Sequence, residues 1–496
     1  MHEQQSSYRQ IMKATSLFGG VQVFQILISV IRSKFVAVLL GPEGMGIVGL
    51  LTTTTGFIGA LTNFGLSTSA VKDISESNTS GDQNRISGVI SVMRRLAWIT
   101  GLLGAIVTLI LSPWLSQLTF GNKDYTLAFI WISVTLLFNQ LSSGQLVILQ
   151  GLRKLQYLAK ANLYGSLVGL VIVVPLYYKF GIRGIVPVII VTSLISLFFS
   201  WYYSRKVEIK PMQISKAKTI SEGKNMLTMG FVISLSGLMT MATAYLLRIY
   251  INRTGNVADV GLYSAGFTMI GTYVGMIFTA MGTDYYPRLS AVAKSNELSR
   301  QAINQQAEIA ILIIAPLLIA FLVFINWFVI LLYSNQFVAI NGMLYWASLG
   351  MFFKAASWAI GFIFLAKSAS KIYFWSELVA ETYSLIFNII GYHFWGLNGL
   401  GFSFLAGYVI VFVQVYIIAK INYQFSFTRS FSLIFTIEFL LAMLSFTAVK
   451  FLNQPYPYIV GSILIVLSAW YSFRELEKRI GIKELIQGFL QKNIKN

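Results

Sequence analysis

An all-α protein threaded through a membrane about fourteen times is what this sequence predicts, and three observations carry the prediction. Hydrophobic residues make up 56% of the 496 and charged residues only 11%, whereas roughly a quarter of a soluble domain is charged. The mean hydropathy is +0.70. Apolar runs of about twenty residues, each long enough for one crossing, recur along the whole chain with short polar breaks between them. No large soluble domain fits in what remains.

The first span, near 14–40 in the stretch Ile11 to Leu50 and ended by a glycine-rich break at Gly41 to Gly46, follows Arg9 and Lys13 as a signal peptide would. It is too long for one and lacks a small-x-small cleavage site, so it reads as an uncleaved first helix. Inside it stand Arg32 and Lys34, with no acidic residue between Lys13 and Glu43. A cation at the centre of a membrane helix costs roughly 2.5 to 3.5 kcal/mol on insertion scales, so it faces a protein interior or a watery cavity. At 100° per residue, Gln22, Gln25, Ser29 and Arg32 fall within about 80° of one another, a polar stripe that ends in a cation. Later hydropathy breaks place the remaining spans near 46–70, 89–112, 125–149, 159–179, 183–203, 226–252, 259–283, 305–333, 340–366, 372–393, 398–420, 431–452 and 456–473. Residues 1–204 then form one six-helix bundle and 226–422 another. The basic stretch 205–225 links them, and 423–496 adds two spans and a basic tail.

Charge fixes the orientation. Under this scheme 28 of the 37 Lys and Arg fall on the N-terminal side of the membrane, five on the other side and four within spans. Positive charge stays cytoplasmic, so both termini are expected there. The same sorting explains the +19 net charge as topology, without a nucleic-acid partner, which would need a basic patch on a soluble fold. With no cysteine and two histidines, disulfides and thiolate metal sites are excluded, and no cofactor is expected. No GxxxxGK[ST] loop occurs, so ATP is not the direct energy source.

The chain also repeats itself. Arg32 and Arg248 are 216 residues apart, as are Tyr157 and Tyr373; Gly46-Ile47-Val48 and Gly261-Leu262-Tyr263 are 215 apart, as are the GIRGI at Gly181 and the GLNGL at Gly396. Near-constant offsets imply two copies of about 215 residues with six spans each. Six is even, so both copies enter from the same side and the repeat is parallel.

The repeat makes Arg32 and Arg248 equivalent, so a cavity between the halves would be cationic on both walls. Guanidinium groups grip phosphate oxygens in pairs and Lys34 adds a point charge, which suits a diphosphate. The structural alternative, that these cations snorkel or pair to fix packing, stays open. Lys354, Glu377 and Glu381 form either a buried ion pair or a site where a proton or sodium ion competes with the lysine. Asp284 pairs with Arg288 or serves a gate, and Glu438 carries no assignment. Asn139, Gln140, Gln145 and Thr52 to Thr55 either line a polar cavity or hydrogen-bond between helices.

The LLGPEGMGIVGL pattern after a first helix with internal Arg32, the YYPRLS end of the eighth span, and the GIRGI and GLNGLG entries resemble Wzx-type O-antigen translocases. These belong to the multidrug, oligosaccharidyl-lipid and polysaccharide exporter superfamily. The resemblance spans roughly residues 10 to 425. It implies a V-shaped exporter, not an enzyme, that flips undecaprenyl-diphosphate-linked oligosaccharide across the bacterial inner membrane by alternating access. Membrane lipids and the glycan polymerase machinery are the further partners it implies. The two C-terminal spans look like those of lipid II flippases, where they border a groove for the lipid tail. An ion-coupled drug antiporter of the same superfamily and a membrane-embedded glycan polymerase or ligase are the competing readings. The first would favour carboxylates in spans 1 to 6, which hold none outside their ends, and the second a large outer loop.

Overall fold

The computed structural model describes residues 2–209 and 216–480, with side chains from Phe24 onward except at 216–218, 232, 273, 283 and 480. Gln22 of the polar stripe, the middle of the 205–225 linker and the basic tail after 480 therefore lie outside what is described. The helices are α1 (His2–Asn63), α2 (Leu66–Ser80), α3 (Gln83–Phe120), α4 (Thr126–Gly151), α5 (Leu155–Phe180), α6 (Ile185–Ser204) and α7 (Lys216–Thr254). They continue with α8 (Val257–Phe267), α9 (Met276–Ala291), α10 (Asn296–Leu332), α11 (Asn341–Ala366), α12 (Ser370–Tyr423), α13 (Arg429–Phe451) and α14 (Tyr456–Ile480).

Among the described residues ten helices are long and apolar enough to cross a membrane, or eleven when the bent pair within α7 is taken as one span. Fourteen is therefore not the count that length and composition give. The difference lies in stretches that run far beyond one crossing: Phe24–Asn63 has 40 residues, Leu155–Ser204 has 50 and Ser370–Tyr423 has 54, where about twenty suffice. Each is broken by a glycine at positive φ: Gly41 (φ 65°), Gly181 (φ 54°) and Gly396 (φ 57°). Only a residue without a Cβ takes such a bend cheaply. Large apolar side chains such as Ile110, Val171 and Trp131 point outward, more than 60% exposed, as lipid-facing positions of a multi-pass membrane protein do.

The repeat seen in the sequence recurs in backbone detail. Gly181 and Gly396, 215 residues apart, share φ/ψ of 54°/−134° and 57°/−139°. Arg153 and Ser368, again 215 apart, both sit in the left-handed region at φ 54° and 55°, a conformation non-glycine residues avoid. The residues after them each close the same turn, Lys154 N–H donating to Leu149 O and Ala369 N–H to Phe364 O, both at 2.8 Å. Identical local strain at a fixed offset is poorly explained by chance similarity between apolar helices.

By contacts the chain divides into one unit of Met1–Ser264 with Leu332–Gln336 and a second of Ala265–Leu331 with Phe337–Asn496. That boundary falls inside α8, not in the 205–225 linker at which the sequence divides, because α7 packs on α1, α2 and α3 of the first unit. Two close approaches make this possible. A Cβ on Gly230 would lie 2.6 Å from the carbonyl oxygens of Phe64 and Gly65. Where α1 breaks, a Cβ on Gly46 would lie 1.9 Å from Val257 O, and a Cβ on Gly261 would lie 1.9 Å from Pro42 O. Small residues admit backbones this close in a membrane. Polar contacts add to it: Asn252 Nδ2 donates to Thr119 O at 2.8 Å, and the Arg253 guanidinium donates to the carbonyls of Gln117 and Leu118. In the second unit, α10 and α11 are buried along most of their length and form its core.

Candidate functional site

Arg32 stands exposed on α1, one turn after the exposed Ser29 and two turns after the half-buried Gln25. No carboxylate pairs with it among the described residues. Its guanidinium instead lines a cavity of about 180 Å³ inside the first unit, together with Ser142 of α4, Asn162 and Ser166 of α5, and Thr192, Ser196 and Ser200 of α6. The cavity exists because its walls are small. Gly165 and Gly169 face Ser196 and Thr192, and a Cβ on either glycine would meet its neighbour only at 4.0 and 3.9 Å. A wider recess of about 700 Å³ shares Leu146 and Asn162 with it and runs to Ser67, Thr68 and Gln150.

Arg248 is placed differently. On α7 it is half-buried, its Nη1 donating to Ala244 O at 3.0 Å and its Nε to Ser264 Oγ at 3.4 Å, with the guanidinium 5.4 Å from the Tyr263 ring. The two arginines that the repeat makes equivalent therefore differ: one is available, one is tied to its own surroundings. Lys34, two residues on and about 200° round α1 from Arg32, is half-buried and outside the cavity lining.

The acidic candidates sit on α9, α12 and α13. The Lys354 ammonium lies 5.3 Å from the Tyr408 ring and 5.9 Å from the Phe404 ring. Faces of aromatic rings attract a desolvated cation, so these two rings are partners of the lysine. Glu377 and Glu381 are half-buried one turn apart on α12. Glu438 is fully buried and accepts from Ser468 Oγ (2.5 Å) and Ser472 Oγ (2.8 Å), a polar tie between α13 and α14. Asp284 makes the exposed 3.8 Å contact with Arg288.

Several polar candidates turn out to join helices. Gln140 is buried and donates to Thr100 Oγ1 of α3 at 3.0 Å, so it packs α4 and does not line the Arg32 cavity. Gln145 accepts from Ser204 Oγ at 2.6 Å. Thr54, Thr119 and Tyr245 form a buried hydroxyl chain across α1, α3 and α7, while Thr52 and Thr55 bond back to their own helix. Asn139 is exposed on α4, outside the cavity lining.

A latch that hydropathy gave no reason to look for ties α10 to α14. Arg479 Nε donates to the buried Glu308 Oε2 at 2.8 Å, Nη1 to Glu475 Oε2 at 2.6 Å and Nη2 to Ser430 Oγ at 2.7 Å. Removing one partner of a buried pair costs about 3 to 5 kcal/mol. Arg479→Ala is therefore expected to lower the thermal unfolding midpoint in detergent by several degrees, and adding Glu308→Gln to restore most of it. An unchanged midpoint in Arg479→Ala would show the latch to be energetically idle.

Both the fold and the sequence are similar to those of known proteins. The lipid II flippase MurJ in an inward closed conformation superposes with a TM-score of 0.68 at 11% identity, covering 94% of this chain and 99% of that one. An inward-facing multidrug resistance MATE transporter superposes at 0.65 with 16% identity, covering 86% and 95%. In sequence, the chain is 21% identical over 414 residues to the lipid III flippase of Escherichia coli K12, covering 81% of this chain and 96% of the relative. It is 25% identical over 354 residues to a Shigella flexneri protein assigned as an O-antigen transporter, covering 68% and 80%. The model of the polysaccharide biosynthesis protein family matches residues 35–342, well over half of the chain, a range that includes Arg248 and Asn162 and begins three residues after Arg32. The chain belongs to the polysaccharide biosynthesis protein family.

Proposed function

We propose that this protein flips an undecaprenyl-diphosphate-linked oligosaccharide from the cytoplasmic to the periplasmic leaflet of a bacterial inner membrane, by alternating access. The observation that carries the reading is Arg32, an available guanidinium beside a cavity with no acidic residue in its lining, in a member of a polysaccharide biosynthesis family. Arg32 grips the diphosphate, Arg248 and Lys34 add to the positive field, and the lipid tail stays in the bilayer. A drug-cation antiporter would need a carboxylate where this cavity has only hydroxyls, an amide and a cation. The protein is a transporter, with surface-glycan polymerase machinery as its downstream partner and both termini in the cytoplasm.

The membrane potential supports the direction. Moving two negative charges out of a cell held at 100 mV, negative inside, releases about 4 to 5 kcal/mol, and the emptied cationic carrier is drawn back inward. Proton or sodium coupling at Glu377 and Glu381 would add to this drive, with Lys354 held apart on its rings. Depleting the protein is expected to strand lipid-linked oligosaccharide on the cytoplasmic leaflet, read by protection of the glycan from a membrane-impermeant label. Equal distribution between leaflets under depletion would sink the proposal.

A further inference from the structure

We infer that Glu438, near the middle of α13, is a proton-binding site, and that the proton reaches it along one face of α14 from the end at Arg479. Both helices lie outside the internal repeat. The site is separate from Glu377 and Glu381 on α12 and makes no use of the Arg32 cavity.

An ionised carboxylate at this position would be costly. Glu438 is 0% exposed, and a buried charge is tolerated only beside a partner of opposite sign. Among the described residues no Lys or Arg pairs with it. The surrounding helices explain why. On α11, Phe352 and Phe353 meet Phe435 and Phe439 of α13 at ring separations of 5.2 to 6.4 Å, while Lys354 stands over the rings of Phe404 and Tyr408 on α12. On α14, Arg479 is committed to Glu308 of α10 and to Glu475. The carboxyl is therefore held neutral. Its two serines serve either form: ionised, it accepts from Ser468 Oγ at 2.5 Å and Ser472 Oγ at 2.8 Å; protonated, Oε2 donates to Ser468 and Oε1 still accepts from Ser472. A metal ion is not served in this way, since hard cations take about six oxygen ligands and the side chains here offer two hydroxyls besides the carboxyl.

A proton site also needs a path, and α14 supplies one. Ser468, Ser472, Glu475 and Arg479 follow one another at intervals of four, three and four residues, which places them on one face of the helix. Ser468 and Ser472 are buried, while the side chains of Glu475 and Arg479 are 14% and 23% exposed. The polar face thus runs from the interior to an end that water reaches. Ile463, Val466, Leu467, Trp470 and Phe473 are exposed on α14, so the helix is otherwise built for lipid. Tyr471 stands beside the path, in the field of Glu475, Glu438, Arg479 and Glu308, and these are the titratable and charged groups gathered around it. At the mouth one guanidinium holds two carboxylates, Glu308 at 2.8 Å and Glu475 at 2.6 Å. Chains of acids inside a membrane protein are characteristic of proton relays, and this one ends at Glu438.

The test is infrared spectroscopy of the full-length protein in nanodiscs, with no substrate added. The difference between wild type and Glu438→Gln is expected to contain the carbonyl band of a protonated carboxylic acid, and that band to vanish as the pH is raised from about 5 to 9, a range that covers buried carboxyls. On transfer to heavy water the band should shift as the proton exchanges. Ser472→Val interrupts the path and leaves the acid in place, so it should slow that shift severalfold. Glu438→Asp should keep a titrating band at a displaced midpoint, which decides the matter if the glutamine variant folds poorly. Absence of the band at every pH would show an ionised carboxylate and overturn the proposal. A band that persists through the whole range, or that never exchanges, would make Glu438 a fixed link between α13 and α14 and overturn it equally. Unaltered exchange in Ser472→Val would remove the path along α14. The readout needs no lipid-linked oligosaccharide, so its failure is distinguishable from that of the Arg32 reading.

Discussion

Arg32→Ala is expected to abolish surface-glycan export at undiminished protein level, and Arg32→Lys to retain part of it. The guanidinium is exposed on α1, lines the cavity and has no carboxylate partner, so its removal strands no buried acid and the helix should insert more easily than before. Structure is preserved and binding is lost. Hydrogen bonds to charged groups contribute about 1.5 to 3 kcal/mol each, and a bidentate grip on phosphate makes two. Losing both corresponds to a fall in affinity of at least a hundredfold. Lysine restores the charge but not the fork. Arg248→Ala is expected to cost less, because that guanidinium is already engaged by Ala244, Ser264 and the Tyr263 ring. Normal glycan in an Arg32→Ala strain, measured at matched expression, would remove Arg32 from the mechanism.

Gly261→Val is expected to open the contact where α8 meets the break in α1. A Cβ at 261 would lie 1.9 Å from Pro42 O and 2.8 Å from Gly46 N, far inside van der Waals contact, and backbone on both sides leaves no side chain to yield. Overpacking of this kind costs about 1 to 3 kcal/mol or more. The chain contains no cysteine, so a single one introduced at Ser264 reports without background. Its labelling by a membrane-impermeant maleimide should rise severalfold in Gly261→Val. Gly46→Val should give the same rise through Val257, and the double variant little more than either, since all three open one joint. Unaltered labelling in both single variants would show that the joint is not closed in the membrane.

Much of the fold was legible because period and composition are enforced residue by residue in a bilayer. The helical class, the glycine breaks at 41, 181 and 396 and the 215-residue offset all follow from the sequence. The division into contact units was not. It depends on α7 settling against α1, α2 and α3, and nothing in the α7 sequence distinguishes a helix that packs on one neighbour from one that packs on another. Among site residues, Arg32 was visible because a cation in an apolar run is costly anywhere. Gln140 and Thr54 were not separable from cavity residues, since a buried polar side chain looks the same in sequence whether it meets a helix or a ligand. The cavity itself had a signal that went unread. Thr192, Ser196 and Ser200 recur every four residues on α6 and Gly165 and Gly169 on α5, a pair of small-residue stripes that leave space between helices. The rings of Phe404 and Tyr408 beside Lys354 were not legible, because they lie some fifty residues further along the chain and hydropathy carries no information about which rings a lysine meets.

The joint at Gly46 and Gly261 has one more property. Gly46 approaches Val257 while Gly261 approaches Pro42; shifted by 215, each of these contacts becomes the other. Matching surfaces that meet reciprocally are the mark of a two-fold homodimer. The two copies thus meet here as subunits do, each presenting the same stretch of its own sequence to the other. Each copy brings one glycine to this joint and sets it against a backbone carbonyl of the other, Val257 in one direction and Pro42 in the other, so the fit lies in the two backbones and not in matched side chains.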